Sequence, residues 1–167
     1  MTDAVRQDVT VRRGVLEDEA ELLALDQAAW SPESGFPSLT PPERDSFFSE
    51  RSKPEYHLVA LHDERIVGYA KLVERYPIEE GAGVFAVHGL AVSPEARGLG
   101  IGSTLMQAVE DEVRRRGGRK ICLNVFATNT AARKLYERQG YEVEGHSRAE
   151  FVINGQLIDD YSLAKFI

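Results

Sequence analysis

The chain has 167 residues, with 20 Lys and Arg against 27 Asp and Glu, a formal net charge of −7. That acid excess argues against a nucleic-acid partner, because phosphate backbones are met by basic faces. No apolar run reaches the roughly 20 residues of a membrane span, so no membrane is expected. With one cysteine, Cys122, no internal disulfide can form, and a reducing cytoplasm is the expected compartment. The length suits a single domain over residues 1–167, and the opening MTDAVRQDV lacks the apolar core of a signal peptide.

In chain order, residues 9–13 alternate as an edge strand would, and residues 16–30 carry Leu16, Ala20, Leu23, Leu25 and Ala28 near a helical period. Residues 31–42, SPESGFPSLTPP, hold four of the seven prolines and read as a loop. A shorter helix is expected over 41–51, with Pro41 or Pro42 at its start. Residues 56–61 and 66–74 read as two strands joined by the polar turn His62-Asp63-Glu64-Arg65, and 84–92 as a third apolar strand.

Leu105, Met106, Val109 and Val113 then form one helical stripe. The pairs Glu110–Arg114, Asp111–Arg115 and Glu112–Arg116 lie at i,i+4 spacing, each worth about 0.2–0.5 kcal/mol. Gly117-Gly118 ends that helix, and a strand over 121–126 follows. Asn129 or Thr130 can cap a helix that runs to Gln139, with Gly140 at its left-handed end. Strands over 145–153 and 156–165 flank Asn154-Gly155, a strong hairpin signal. The order β-α-α-β-β-β-α-β-α-β-β predicts an α/β (α+β) fold, a mixed twisted sheet of 6–7 strands flanked by about 4 helices.

The chemistry concentrates where the third strand meets the next helix, in Ala91-Val92-Ser93-Pro94-Glu95-Ala96-Arg97-Gly98-Leu99-Gly100-Ile101-Gly102-Ser103. Glycines between a strand and a helix let unpaired backbone N–H groups converge on phosphate oxygens, with the helix dipole adding positive potential. The P-loop pattern is excluded, because Gly102 is followed by Ser103-Thr104 with no lysine. A dinucleotide fingerprint fits poorly, since Leu105 stands where a third glycine would be needed. A tight strand-to-helix turn with no ligand explains the local pattern equally well.

Two motifs together resemble the GNAT superfamily of acetyl-CoA-dependent N-acetyltransferases. Its signature [Gln/Arg]-x-x-Gly-x-[Gly/Ala] is matched by Arg97-Gly98-Leu99-Gly100-Ile101-Gly102, after the run Leu90-Ala91-Val92. A second family pattern is matched by Asn129, Ala132, Leu135, Tyr136, Gly140 and Tyr141, and the ending INGQLIDDYSLAK is similar to that of many small-molecule and amino-acid acetyltransferases. The resemblance implies that two parallel strands, ending at Val92 and near Phe126, splay apart around acetyl-CoA. The backbone of Leu90, Ala91 and Val92 would then pair with the pantetheine arm. The N–H groups of Arg97, Gly98, Leu99, Gly100, Ile101, Gly102 and Ser103 would hold the pyrophosphate, with Arg97 adding charge. Asn129 would bond the pantetheine arm, and Tyr136 would point at the thioester sulfur. No metal is implied.

The implied reaction is attack of a neutral primary amine of a small molecule (amino acid, polyamine or xenobiotic amine) on the thioester. Protein N-termini or lysines are the alternative acceptors, and a non-catalytic acyl-CoA sensor is a further reading. A phenol near pKa 10 is a weaker acid than a thiol near 8.5, so Tyr136 is expected to assist by hydrogen bonding rather than by full proton transfer. Many family members carry a Glu on the strand before the glycine loop. Val84-Phe85-Ala86-Val87-His88-Gly89 has none, which leaves His88 as the titratable group there and the expected base. The segment is similar to that of arylalkylamine acetyltransferases, with His88 on the second of their two alternating histidines and Ala86 on the first. Alternation puts His88 on one face with Ala86 and Leu90. His57 and His62 read as surface strand and turn residues. The acceptor walls are expected from Trp30, Phe36, Phe47 and Phe48, with Glu150, Asp159 and Asp160 as candidate ammonium partners. The sequence leaves the oligomeric state open, a homodimer being the commonest alternative to a monomer.

Overall fold

The computed structural model describes residues 8–167; residues 1–7, within the start read above as lacking a signal peptide, lie outside the described residues. Seven strands, β1 (Val9–Arg13), β2 (His57–His62), β3 (Arg65–Glu74), β4 (Val84–Val92), β5 (Lys120–Phe126), β6 (Glu142–Ile153) and β7 (Gln156–Phe166), form one mixed sheet in the order β1-β2-β3-β4-β5-β7-β6. Three α-helices, α1 (Glu19–Ala29), α2 (Ile101–Arg115) and α3 (Thr130–Arg138), flank it.

Turn chemistry sets the hairpins. Asn154 and Gly155 both take positive φ, 51° and 77°, the geometry that matches the right-handed strand twist. Asp63 and Glu64 do the same between β2 and β3, at 50° and 63°. The α2 stripe is buried completely: Leu105, Met106, Val109 and Val113 are at most 1% exposed and pack on Phe85, Val87, Ile121 and Leu123. Burying one such side chain contributes about 1.5–3 kcal/mol. Of the three expected pairs on α2, Glu110–Arg114 and Glu112–Arg116 form, whereas Arg115 turns to Glu112. On the opposite face, Leu22, Leu25 and Ala29 of α1 pack on Val59, Ile66, Tyr69 and Ala91.

The expected helix over 41–51 is absent, which leaves three α-helices where about four were expected. The N–H groups of Phe47 and Phe48 donate to the Glu19 carboxylate at 2.5 and 3.0 Å, so they are not free for a helical ladder. Arg44 is drawn to Asp26 at 2.5 Å. Tertiary partners on α1 therefore override the local propensity. The first helix also starts later than expected: residues 16–18 form a 3₁₀ turn in which Asp18 accepts from Val15 N–H and pairs with Arg12.

Two irregularities on β4 create the site. β4 and β5 run parallel but pair only from Val84–Lys120 to Val87–Leu123. Beyond that point β4 continues beside β3 and β5 beside β7, so the two strands part. On the β3 side, Lys71 pairs with Gly89 and Leu72 with Val87, so His88 is the extra residue of a β-bulge. The bulge reverses the alternation expected from the sequence. Phe85 and Val87 face α2 before it, and Leu90 and Val92 face α2 after it, so Leu90 lies on the face opposite Ala86.

Candidate active site

The parting of β4 and β5 opens two adjoining cavities. The first, about 940 Å³, is lined by Leu90, Ala91 and Val92, by residues 96–103, and by the start of α3. The backbone there is poised for an anion. Among the described residues, the N–H groups from Arg97 to Ser103 make no hydrogen bond of good geometry to other backbone groups, and the first helical bond is Thr104 N–H to Gly100. Gly98 and Gly100 turn the chain with φ of 80° and 79°, a region that costs a side-chain-bearing residue about 1–2 kcal/mol. Gly102 is needed for a different reason: a Cβ there would lie 2.9 Å from Leu135 Cδ2 on α3.

Arg97 is not a free loop cation. Its Nη2 donates to the Ala29 carbonyl at 2.7 Å, tying the loop to the C-terminal end of α1, while the residue still lines the cavity. Asn129 caps α3 by accepting from Ala132 N–H through Oδ1 at 3.2 Å. Its amide NH₂ group remains available, and the residue borders both cavities.

The second cavity, about 660 Å³, lies on the other side of the parting, with His88, Tyr136 and Lys71 in its wall. Trp30, Ser34, Leu90, Asn129 and Ala132 line both spaces, so they meet there. Tyr136 is 6% exposed, and burial pushes its hydroxyl pKa well above the ordinary phenol range. His88 projects from the bulge and keeps an exposed surface; partial desolvation, then the charges of Lys71 and Arg75, lower its pKa.

The floor of the second cavity is a buried polar knot that sequence reasoning missed. Asp26 accepts from Trp30 Nε1 at 2.6 Å and Tyr69 Oη at 2.5 Å, and pairs with Arg44. One signal was legible: Asp26 and Trp30 lie four apart on a helix. His57 is fully buried, not on the surface, with Nδ1 on the Lys53 carbonyl and burial lowering its pKa. His62 is half-buried beside the β2–β3 turn.

Of the proposed acceptor walls, Trp30, Phe36 and Phe47 line the cavity, whereas Phe48 packs outside it against Phe47 and His57. Among the three hairpin acids only Asp160 reaches it. Burial raises the Asp160 pKa, while Asn124 Nδ2 donates to its carboxylate at 2.8 Å. Asp159 is occupied by His146 and by Ala149 N–H. The loop over 31–40 straps the cleft. Thr128 Oγ1 donates to the Glu33 carbonyl at 2.8 Å, and the Phe36 ring meets Phe126 and Phe151 edge-on at 5.0 and 4.8 Å. Among the described residues no group of His, Cys, Asp and Glu could hold a metal ion, and no helix is long and apolar enough to cross a membrane.

The parted strands, the unpaired glycine-loop amides and the capped α3 agree with the match of residues 20–141 to the model of the acetyltransferase (GNAT) family. The chain belongs to that family. It is 31% identical over 126 residues to a mycothiol acetyltransferase of Geodermatophilus obscurus, covering 70% of this chain and 41% of that relative. The chain thus spans less than half of that relative's length. Among solved structures, one from Streptococcus mutans superposes with a TM-score of 0.80 at 24% identity, covering 94% of this chain and 98% of the other. A structure from Salmonella typhimurium, solved with its cofactor acetyl-CoA, gives 0.73 at 17% identity, covering 95% and 93%. At those identities the structures speak to the fold.

Proposed function

We propose that this chain moves an acetyl group from acetyl-CoA to the primary amine of a small molecule, both reactants being held at once. The carrying observation is the junction of the two cavities where β4 and β5 part, with Phe36 seated against Phe126 and Phe151 along the acceptor side. A protein acceptor needs an open groove, and the strap over 31–40 narrows that side. The coenzyme supplies an acyl group activated as a thioester. The residues of this chain fit it: the N–H groups of Arg97 through Ser103 face the first cavity unpaired, as its pyrophosphate requires. The β4 edge beyond Val87, free of β5, offers backbone groups to the pantetheine arm. Asn129 keeps its amide donors for the same arm.

His88 would take a proton from the acceptor ammonium, so that the amine nitrogen bonds the thioester carbon as the C–S bond breaks, and the second proton lost from the nitrogen would pass through solvent to the departing thiolate. Free N–H groups of β4 would stabilise charge on the carbonyl oxygen. Tyr136 would donate a hydrogen bond to the departing sulfur while keeping its own proton, as its raised pKa favours. Holding both reactants in place supplies much of the acceleration. Cytoplasmic placement fits the one buried cysteine, Cys122. The test is a panel of amino acids, polyamines, aromatic amines and one peptide, with thiol release from acetyl-CoA as the signal. Release with small amines but not the peptide is expected. Release with the peptide alone would replace this reading with a protein acetyltransferase, and no uptake of acetyl-CoA by calorimetry would end it.

A further inference from the structure

Not every charge around the acceptor cavity has an oppositely charged partner beside it. Asp26 and Arg44 neutralise each other at the floor. Asp160 is hydrogen-bonded by Asn124. Arg75 lies over the Tyr76 ring and is exposed. Lys71 is left over. It is half-buried, it lines the cavity, and its ammonium reaches only the Arg51 carbonyl, at 3.4 Å. Among the described residues it pairs with no carboxylate, in a chain with 27 Asp and Glu. A half-buried cation at a cavity wall with no carboxylate beside it is free to meet an anionic ligand.

The position of Lys71 matters as much as its charge. It stands on β3 opposite His57 on one side and Gly89 on the other, beside the bulge that carries His88. Its charge lowers the pKa of both histidines. An anion bound to Lys71 would therefore lie next to the base. In an α-amino acid the carboxylate and the amine share one carbon, so holding the first near Lys71 leaves the second near His88. The same acceptor suits the base. An imidazole near pKa 6.5 faces about 1.5 units to deprotonate an α-ammonium near 8, against about 3.9 units for an alkylammonium near 10.4.

We propose that Lys71 binds the carboxylate of the acceptor, and that the acceptor is therefore an amino acid with a free α-carboxylate. This rests on the acetyl-transfer reading above and narrows it. A polyamine is disfavoured, because it would bring a second positive charge towards Lys71. A peptide N-terminus is disfavoured too, because its neighbouring group is a neutral amide.

The test uses L-methionine and L-phenylalanine, each beside its carboxamide, with thiol release measured for wild type, Lys71→Met and Lys71→Arg. The ratio of kcat/KM for acid over amide within one variant cancels the intrinsic reactivity of each amine on comparison between variants. The expected result is a ratio at least tenfold lower in Lys71→Met, carried mainly by KM, and largely restored in Lys71→Arg. A second measurement does not need turnover: calorimetry of N-acetyl-L-methionine and its carboxamide with protein saturated in coenzyme A. Tighter binding of the acid in wild type, lost in Lys71→Met, is expected. Equal ratios in wild type and Lys71→Met, or equal binding of acid and carboxamide, would overturn the role of Lys71 while leaving acetyl transfer standing. Failure of acetyl-CoA itself to bind would instead overturn the broader reading.

Discussion

Burial acts on Tyr136 and His88 in opposite senses, and each shift has a consequence for the proposed reaction. A phenol with a raised pKa holds its proton and can donate a hydrogen bond at any physiological pH. Replacing Tyr136 by Phe should lower kcat about 10–100-fold, or about 1.4–2.8 kcal/mol, while the dissociation constant of acetyl-CoA from calorimetry stays close to wild type. His88 is lowered from 6.5, so it is neutral at pH 7 and able to accept a proton. It loses that ability as pH falls through its lowered value, so the wild-type kcat/KM profile should carry an acidic limb below 6.5. His88→Ala should reduce kcat/KM by about 10²–10⁴ and remove that limb. A profile that keeps the limb without the imidazole would assign the base to another group. The family resemblance, carried by two motifs, pointed to the glycine-loop residues and Asn129, and these residues line one cavity. The sequence hid Lys71, because a single lysine alternating on a strand looks like any solvated side chain until the bulge turns its neighbours into a cavity wall.

The elements that hold these side chains follow from shape as much as from propensity. Gly102 lets α2 pass close to Leu135, and an added methyl must push that side chain aside. Gly102→Ala displaces the end of the half-buried Leu135 side chain while gaining up to about 1 kcal/mol of helix propensity, so urea unfolding should shift little and acetyl-CoA binding should weaken, because α3 carries Tyr136 and is capped by Asn129. The strap over 31–40 makes a separate prediction. Phe36→Ala removes its grip on Phe126 and Phe151, so the ratio of activity on a short peptide to activity on an amino acid should rise about tenfold. Hairpins were legible because Asn154-Gly155 and Asp63-Glu64 state their own backbone geometry. The absent helix over 41–51 was not. Its amides are claimed by Glu19, a residue 28 positions from Phe47, and no local window shows such a partner. The bulge at His88 is likewise a property of two strands in register, visible only once β3 lies beside β4.

Across the whole molecule, charge is concentrated in a few networks that cross between elements. Glu112 on α2 meets Arg115 and Arg116 at 2.6 and 2.8 Å and reaches Arg13 on β1 at 2.6 Å. Hydrogen bonding by Arg115, then by Arg116, holds its pKa at about 2, below the usual 4.5. The folded value lies below the unfolded one, so this stabilisation is present above pH 4.5 and is lost as pH falls towards 2. The arginines are partly exposed, so the network is worth about 1 kcal/mol. Glu112→Gln should unfold at lower urea than wild type at pH 7, by that margin, and the gap should close between pH 4.5 and 2. The bond from Arg97 to the Ala29 carbonyl has a wider reach. It fastens the glycine loop to the last residue of α1, immediately before Trp30, which borders both chambers. An anion that recruits the guanidinium loosens the root of the strap, and a molecule seated under the strap resists that loosening or assists it. Thermodynamic reciprocity then binds the two ligands together: whatever factor one imposes on the affinity of the other is returned in full.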